Sequence, residues 1–249
     1  MLKLNVSESF FSIQGEGPTA GTPAVFLRLA KCNLTCGGLN TVKSRKIEPG
    51  ATWRCDTIEV WMKGVSQSFE DIIESWDQHG FLDQLRQGAH LVVTGGEPLL
   101  QMEALVSFLI CLDHVLEEAV FVEVETNGTL APNIDLLSRV NQFNVSPKLA
   151  NSGMSFKKRV LEHSINRLNE HTQTFFKFVI TDEADVVECM QTFVEPMGIP
   201  ARKIIFMPGG ETREKLEKLS PLVKQKAKEK GAQFSTRLQI ILWDQTVGV

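Results

Sequence analysis

What this 249-residue chain lacks narrows its class first. It has no excess of positive charge: 26 Lys and Arg stand against 30 Asp and Glu, a formal charge of −4. That balance argues against an electrostatic grip on nucleic acid or anionic lipid. No apolar run approaches the ~20 residues that a membrane helix needs, so no membrane association is expected. The opening MLKLNVSESFFSIQGEG has no uninterrupted apolar core and meets acidic and glycine residues early. A secretory leader is therefore not expected, and a cytoplasmic protein is. Cysteines are few, five in number, odd in count and unevenly placed. A disulfide framework is not expected from them; metal or redox chemistry in a reducing compartment is. Internal repeats, low-complexity segments and linkers are also missing.

With 43% hydrophobic and 22% charged residues the chain reads as globular, and its length allows about three quarters of the unfolded surface to be buried. AVFLRLA (24–30), HLVVTG (90–95), AVFVEVE (119–125), FNVS (143–146), FFKFVI (175–180), KIIFM (203–207) and LQIILW (238–243) have the composition of strands. Ser68 with Asp71 three residues on predicts a capping box for a helix over FEDIIESW. Further helices are expected over 81–87, 99–111, from Pro132 to Val140, 183–194 and 211–229. Alternation of strands and helices predicts βαβ units with parallel pairing, as a closed or partial barrel or as a doubly wound open sheet. We read 1–249 as a single α/β domain, with its least regular stretches at 37–54 and 148–172.

Three of the cysteines fall in CNLTCGGLNTVKSRKIEPGATWRCDT. Cys32 and Cys36 are separated by three residues, and Cys36 and Cys55 by 18. Cys111 and Cys189 lie in helical apolar patterns and read as small core hydrophobes. The other three lie in a loop among Asn, Gly, Lys and Pro. A structural zinc site closes with four ligands, and no fourth cysteine or histidine is near. Three thiolates with an open position suit a [4Fe–4S] cluster. The spacing alone leaves both readings open.

Neighbouring motifs add to this. LRLAKCNLTC and WRCDT resemble two halves of the cluster loop of the radical S-adenosylmethionine superfamily, with an insertion at about 37–54. TGGEP (94–98) resembles the superfamily motif that meets the methionyl amino group. With SIQGEG, VETNGT, NVSPK, KFVI, FMPGGETRE and the final RLQIILW, the chain is similar to the 7-carboxy-7-deazaguanine synthase (QueE) family.

That resemblance implies a partial (β/α) barrel of the radical-SAM type and a carbon–nitrogen lyase. The family converts 6-carboxy-5,6,7,8-tetrahydropterin to 7-carboxy-7-deazaguanine with loss of ammonia, through a 5′-deoxyadenosyl radical. It implies a [4Fe–4S] cluster on Cys32, Cys36 and Cys55, S-adenosylmethionine, and magnesium at Thr57. It places substrate at Ile13, Gln14, Gly15, Glu16, Arg28 and Thr94. It places cofactor at Arg54, Cys55, Asp56, Gly96, Glu97, Glu125, Ser146, Pro147, Lys148, Met207, Pro208, Gly209 and Gly210. It assigns no side chain as a catalytic acid or base. The partners implied are a small pterin, an external electron donor such as flavodoxin or ferredoxin, and a second copy in a homodimer.

The residues themselves suit this chemistry. Arg28 interrupts an apolar strand and needs a partner, either a substrate carboxylate or a structural salt bridge. Gln14 and Glu16 offer the donors and acceptors that a pterin edge requires. Three features depart from the family pattern: Lys31 where Gly is usual, Gln239 where His is frequent, and the WDQTVGV ending. Lys43, Arg45, Lys46 and Arg54 make the insertion basic, either over the site, against an acidic donor, or as a solvated excursion. The alternatives are another small radical enzyme, such as an activase of a glycyl-radical partner, and a non-catalytic zinc-binding relative.

Overall fold

The computed structural model describes residues 2–210 and 212–243. Among these, one open nine-stranded sheet has the order β3-β1-β2-β4-β5-β6-β7-β8-β9. β1 is Lys3–Ile13, β2 Pro23–Leu29, β3 Val65–Ser68, β4 His90–Gly95 and β5 Val122–Thr126. β6 is Gln142–Val145, β7 Thr174–Ile180, β8 Ile204–Pro208 and β9 Gln233–Phe234. From β2 onward every neighbouring pair is parallel, whereas β1 runs antiparallel to both β2 and β3. The sheet does not close on itself, so the architecture is a partial barrel with mostly parallel strands.

Short helices α1 (Thr41–Ser44) and α2 (Ile58–Trp61) lie in the cysteine region. α3 (Phe69–Gln78), α4 (Phe81–Arg86) and α5 (Met102–Leu116) follow, α5 being entered through a 3₁₀ turn at Pro98–Gln101. α6 (Ile134–Arg139), α7 (Phe156–Arg159), α8 (Glu162–Glu170) and α9 (Glu183–Cys189) cover the later crossovers, with a π-helical turn at Met190–Val194. α10 (Arg213–Lys230) and α11 (Leu238–Trp243) come last.

The two-residue period of the strands divides the sheet into two unlike faces. Val25, Leu27 and Leu29 of β2, Leu91 and Val93 of β4, Val122 and Val124 of β5, and Phe176, Phe178 and Ile180 of β7 join the helices in one large apolar core. Their alternates Arg28, Thr94, Glu123, Glu125, Asn144 and Lys177 belong to the other face, which is polar apart from a small apolar cluster of Ala24, Phe26 and Val92 with Phe10. A doubly wound sheet would clad both faces with helices; here the polar face is kept for a cavity.

Several expectations need correction. LQIILW forms the helix α11, not a strand; Ile240 is buried while Ile241 and Leu242 are exposed. A short apolar run carries no period that separates helix from strand. β1 was not anticipated, because a register shift between Val6 and Glu8 breaks its alternation. β3 and β9 are four and two residues long, too short to leave a pattern. The irregular stretch 148–172 contains α7 and α8. Pro98–Leu116 is, by length and composition, apolar enough to cross a membrane, at 19 residues and a mean hydropathy of 1.7. In the fold it clads the sheet: Leu105, Phe108, Leu109 and Leu112 join the core and Trp76 packs edge-on to Phe108.

The capping box forms as expected: Asp71 N donates to Ser68 Oγ and Ser68 N to Asp71 Oδ2, both at 3.1 Å. Replacing Ser68 with Ala removes one orphan-donor partner and should cost about 1 kcal/mol, read as a lower urea midpoint at unchanged m-value.

Candidate active site

A cavity of about 660 Å³ opens on the polar face, at the carboxyl ends of the parallel strands. Its size is that of a site for a cofactor or a small substrate. Every site residue expected from sequence lines it except Glu97 and Pro147. Asn127, Asn144, Lys177, Trp53, Arg237 and Gln239 line it too and were not assigned from sequence.

The spacing of the cysteines resolves in the backbone. Cys55 N donates to Cys36 O at 3.2 Å, so the 18-residue insertion is pinched shut at its neck and returns Cys55 to the side of Cys36. Inside the pinch the chain ties to itself: Glu48 N bonds Gly37 O, and Glu48 Oε1 accepts from Asn40 N, both at 2.8 Å. Arg54 spans the loop, donating to Thr41 Oγ1 at 3.0 Å and pairing with Glu59. Outside it, Gly37 N and Thr52 N bond Ser152 O and Asn151 O, each at 2.8 Å. The insertion is thus anchored to the loop after β6. Arg45 and Arg54 reach the cavity wall, while Lys43 and Lys46 are exposed.

Cys32, Cys36 and Cys55 pack around Leu34, Trp53 and Met154. Burial pushes the Cys32 thiol up to about 11 and the Cys36 thiol up to about 12, and the neighbouring sulfurs add to both shifts. Burial therefore favours the neutral thiol at both Cys32 and Cys36. Lys148 Nζ, 2.9 Å from Ser146 Oγ and over the Trp53 ring, works the other way and favours thiolate. Asn127 Nδ2 points toward Cys32 Sγ at 3.9 Å.

The paired glycines of TGGEP have a structural reason. A Cβ at Gly95, where φ is +136°, would lie 2.0 Å from Leu29 O, and one at Gly96 would lie 2.0 Å from Lys31 O. These strand ends touch backbone to backbone, with Gly96 N on Leu29 O and Glu97 N on Lys31 O. Lys31 itself is left-handed at φ +72°, a conformation that glycine adopts without steric cost. Glu97 is fully buried and does not reach the cavity wall. Its carboxylate accepts from Leu99 N, Thr126 Oγ1 and Asn127 N at 2.7–3.0 Å, joining the ends of β4 and β5. Burial raises its pKa. Pro147 is likewise buried behind the wall.

At the other end of the cavity the polar groups form one network. Glu16 accepts from Lys177 Nζ at 2.8 Å, Arg237 Nε at 3.0 Å and Gln239 Nε2 at 2.8 Å. Burial alone would raise its pKa, but Lys177 and Arg237 outweigh this and hold the carboxyl well below the usual range. Desolvation of Lys177 is offset in turn by Glu16 and Glu125, and its ammonium is retained. Gln14 spends its amide on Glu123 and Glu125, both at 3.3 Å. Thr94 Oγ1 donates to Glu125 at 2.8 Å. Glu123, fully buried, also takes His90, Thr19 and Asn144 at 2.6–2.9 Å. Arg28 Nε pairs with Glu8 at 2.7 Å, while among the described residues its two Nη groups have no acceptor. Gln239 Oε1 is a buried acceptor on the cavity wall with no donor among the described residues. Lys177 was legible by the argument used for Arg28, a cation in an apolar strand.

The donors suit an iron–sulfur cluster better than a single ion. Among the described residues no three His, Cys, Asp or Glu side chains converge to hold one metal ion, whereas zinc draws its thiolates to about 2.3 Å. Three soft sulfurs share one wall, and thiolates are what a cluster takes. Thr57 Oγ1 sits 3.4 Å from Cys55 Sγ and makes no capping bond to α2.

Two tests follow. Gly96→Ala puts a methyl 2.0 Å from Lys31 O and 2.9 Å from Cys32 Cβ; it should cost about 1–3 kcal/mol in a denaturant titration and abolish cluster uptake. In the cluster-free protein, iodoacetamide capture of Cys36 should still be accelerating at about pH 10, where an ordinary thiol has levelled off, because burial favours the neutral form.

No family model matches this chain. Two curated 7-carboxy-7-deazaguanine synthases are similar along nearly its whole length. The protein of Halobacterium salinarum is 32% identical over 97% of this chain and 91% of its own. That of Pyrobaculum aerophilum is 32% identical over 99% and 97%. Among solved structures, QueE from Escherichia coli aligns with a TM-score of 0.64 at 22% identity, over 96% of this chain and 95% of that one, and so shares its fold. With that identity to named relatives over almost every residue, the chain belongs to the 7-carboxy-7-deazaguanine synthase family.

Proposed function

We propose that the chain converts 6-carboxy-5,6,7,8-tetrahydropterin to 7-carboxy-7-deazaguanine with loss of ammonia, as a single-domain, cytoplasmic radical enzyme. The observation that carries this reading is the shared cavity: three clustered cysteines at one end and a carboxylate–cation network at the other. When bound, a [4Fe–4S] cluster and S-adenosylmethionine supply the 5′-deoxyadenosyl radical, with an electron from a donor such as flavodoxin or ferredoxin.

The chain's own groups hold and orient. Cys32, Cys36 and Cys55 hold the cluster as thiolates, and Asn127 offers an N–H toward the first of them. Ser146 and Lys148 face the carboxylate of the cofactor, Glu125 its ribose, and the turn Met207–Gly210 and the backbone of Arg54–Asp56 its adenosine. Gly96 brings its backbone to the methionyl end, where Glu97 acts from behind by fixing the loop. The Nη groups of Arg28, without an acceptor among the described residues, fork the substrate carboxylate. Gln14, Glu16 and the backbone of Ile13 and Gly15 border the pterin edge, with Thr94 beside it. Thr57 offers one hard oxygen to magnesium, an ion that keeps several waters. The active form is a homodimer.

The test is anaerobic reconstitution with iron and sulfide, then incubation with S-adenosylmethionine, dithionite, magnesium and the carboxytetrahydropterin. Mass spectrometry should find the carboxydeazaguanine with wild type and none with Cys55→Ala, which should also lose the cluster's visible absorption. Cofactor cleavage without this product would overturn the substrate; zinc and no iron after anaerobic purification would favour the zinc-binding relative. Thr57→Ala should keep cluster absorption and raise the magnesium concentration needed for half-maximal turnover, by about tenfold for one lost ligand.

A further inference from the structure

Arg237 touches three parts of the cavity wall that are far apart in sequence. Its Nε donates to Glu16 at 3.0 Å, its Nη1 to Gly210 O at 3.0 Å, and its Nη2 to Asp56 Oδ2 at 2.5 Å. Glu16 belongs to the turn after β1, Asp56 follows Cys55 directly, and Gly210 ends the turn after β8. The segment that carries Arg237 is itself docked on the Glu16 turn. Leu238 N donates to Gly15 O at 2.9 Å, Gly17 N to Ser235 Oγ at 3.0 Å, and Gln239 Nε2 to Glu16 at 2.8 Å.

We propose that Arg237 is a positioning residue that couples the pterin end of the cavity to the cysteine loop, holding Glu16 in register with the segment around Cys55 through Asp56. The proposal rests on the functional reading above. A guanidinium is suited to this task because its planar fork serves three acceptors at fixed angles; an ammonium is a point charge that cannot. Asp56 is half exposed, so solvent screens its pairing with Arg237. Its contribution is directional: it fixes where the guanidinium plane lies, and so where Glu16 is held. Lys177 balances the charge of Glu16 from the opposite side, but it reaches neither Asp56 nor Gly210.

The experiment is a double-mutant cycle with Arg237→Gln and Asp56→Ala. It is read in the cluster-free protein by fluorescence titration with 6-carboxypterin, the oxidised counterpart of the substrate, and in the loaded enzyme by KM and kcat separately. Arg237→Gln should weaken pterin binding about tenfold, the scale of a lost charge-assisted hydrogen bond. Asp56→Ala should weaken it about threefold in the wild-type background and have no further effect once Arg237 is gone, the sign of a coupled pair. Arg237→Lys should resemble Arg237→Gln. In the loaded enzyme the loss should fall on KM more than on kcat.

Additive losses in the double variant, unchanged pterin affinity in Asp56→Ala, or full rescue by Arg237→Lys would each overturn the coupling. If Arg237→Gln does not fold, as read by its thermal melt, the Asp56→Ala and Arg237→Lys arms still decide. Wild-type protein that takes up no pterin and yields no carboxydeazaguanine would sink the functional reading and this proposal with it; wild-type uptake with additive variants sinks this proposal alone.

Discussion

Two parallel strands, β2 and β4, leave the sheet side by side, and their exits run so close that no side chain fits between them. Leu29 O and Lys31 O face Gly95 and Gly96 at distances where a Cβ would overlap an oxygen. Much of the site follows from this contact. It sets the direction in which the chain enters the cysteine loop, so it fixes Cys32. It turns Glu97 inward, where the carboxylate ties the next strand end into the same assembly through Thr126 and Asn127. A buried carboxylate with three donors is costly to form and costlier to leave half-paired, which makes the arrangement specific rather than merely stable.

The polar face of the sheet obeys the same logic over a wider area. Glu16, Glu123, Glu125, Lys177 and Arg237 would each be expensive alone in a wall this dry. Short contacts pair Lys177 with Glu16 and Glu125, Arg237 with Glu16 and Asp56, and His90 with Glu123, and Glu16 remains ionised with a cation on either side. The cavity therefore presents fixed dipoles and charges before any ligand arrives, an environment that needs little rearrangement when a polar, flat molecule replaces water.

Much of this was legible in the residues and some was not. The parallel core was readable because β4, β5, β7 and β8 carry β-branched and aromatic runs between helical segments. The capping box of α3 was readable because it is local. β1 was hidden by its register shift, and α11 by an apolar run without period. At the site, the motifs around Cys32, Cys36 and Thr94–Gly96 fall together on the wall of one cavity. They could not tell that Glu97 faces away from it, since burial depends on what β5 brings. Arg237 escaped for a similar reason: its role shows only when Glu16, distant in the chain, is set beside it. The return of Cys55 after 18 residues was read only through the resemblance of WRCDT, because a backbone bond from Cys55 to Cys36 leaves no mark on composition.

That pinched neck bears on how the chain tolerates change. A loop whose two ends are already held together adds closure entropy only slowly with length, about 0.6 kcal/mol for each doubling. Sulfur positions set at the base are therefore insulated from whatever the tip contains. The excursion between the second and third cysteines behaves as a graft on a fixed stem. Its length and charge are free to change while the thiols stay where they are.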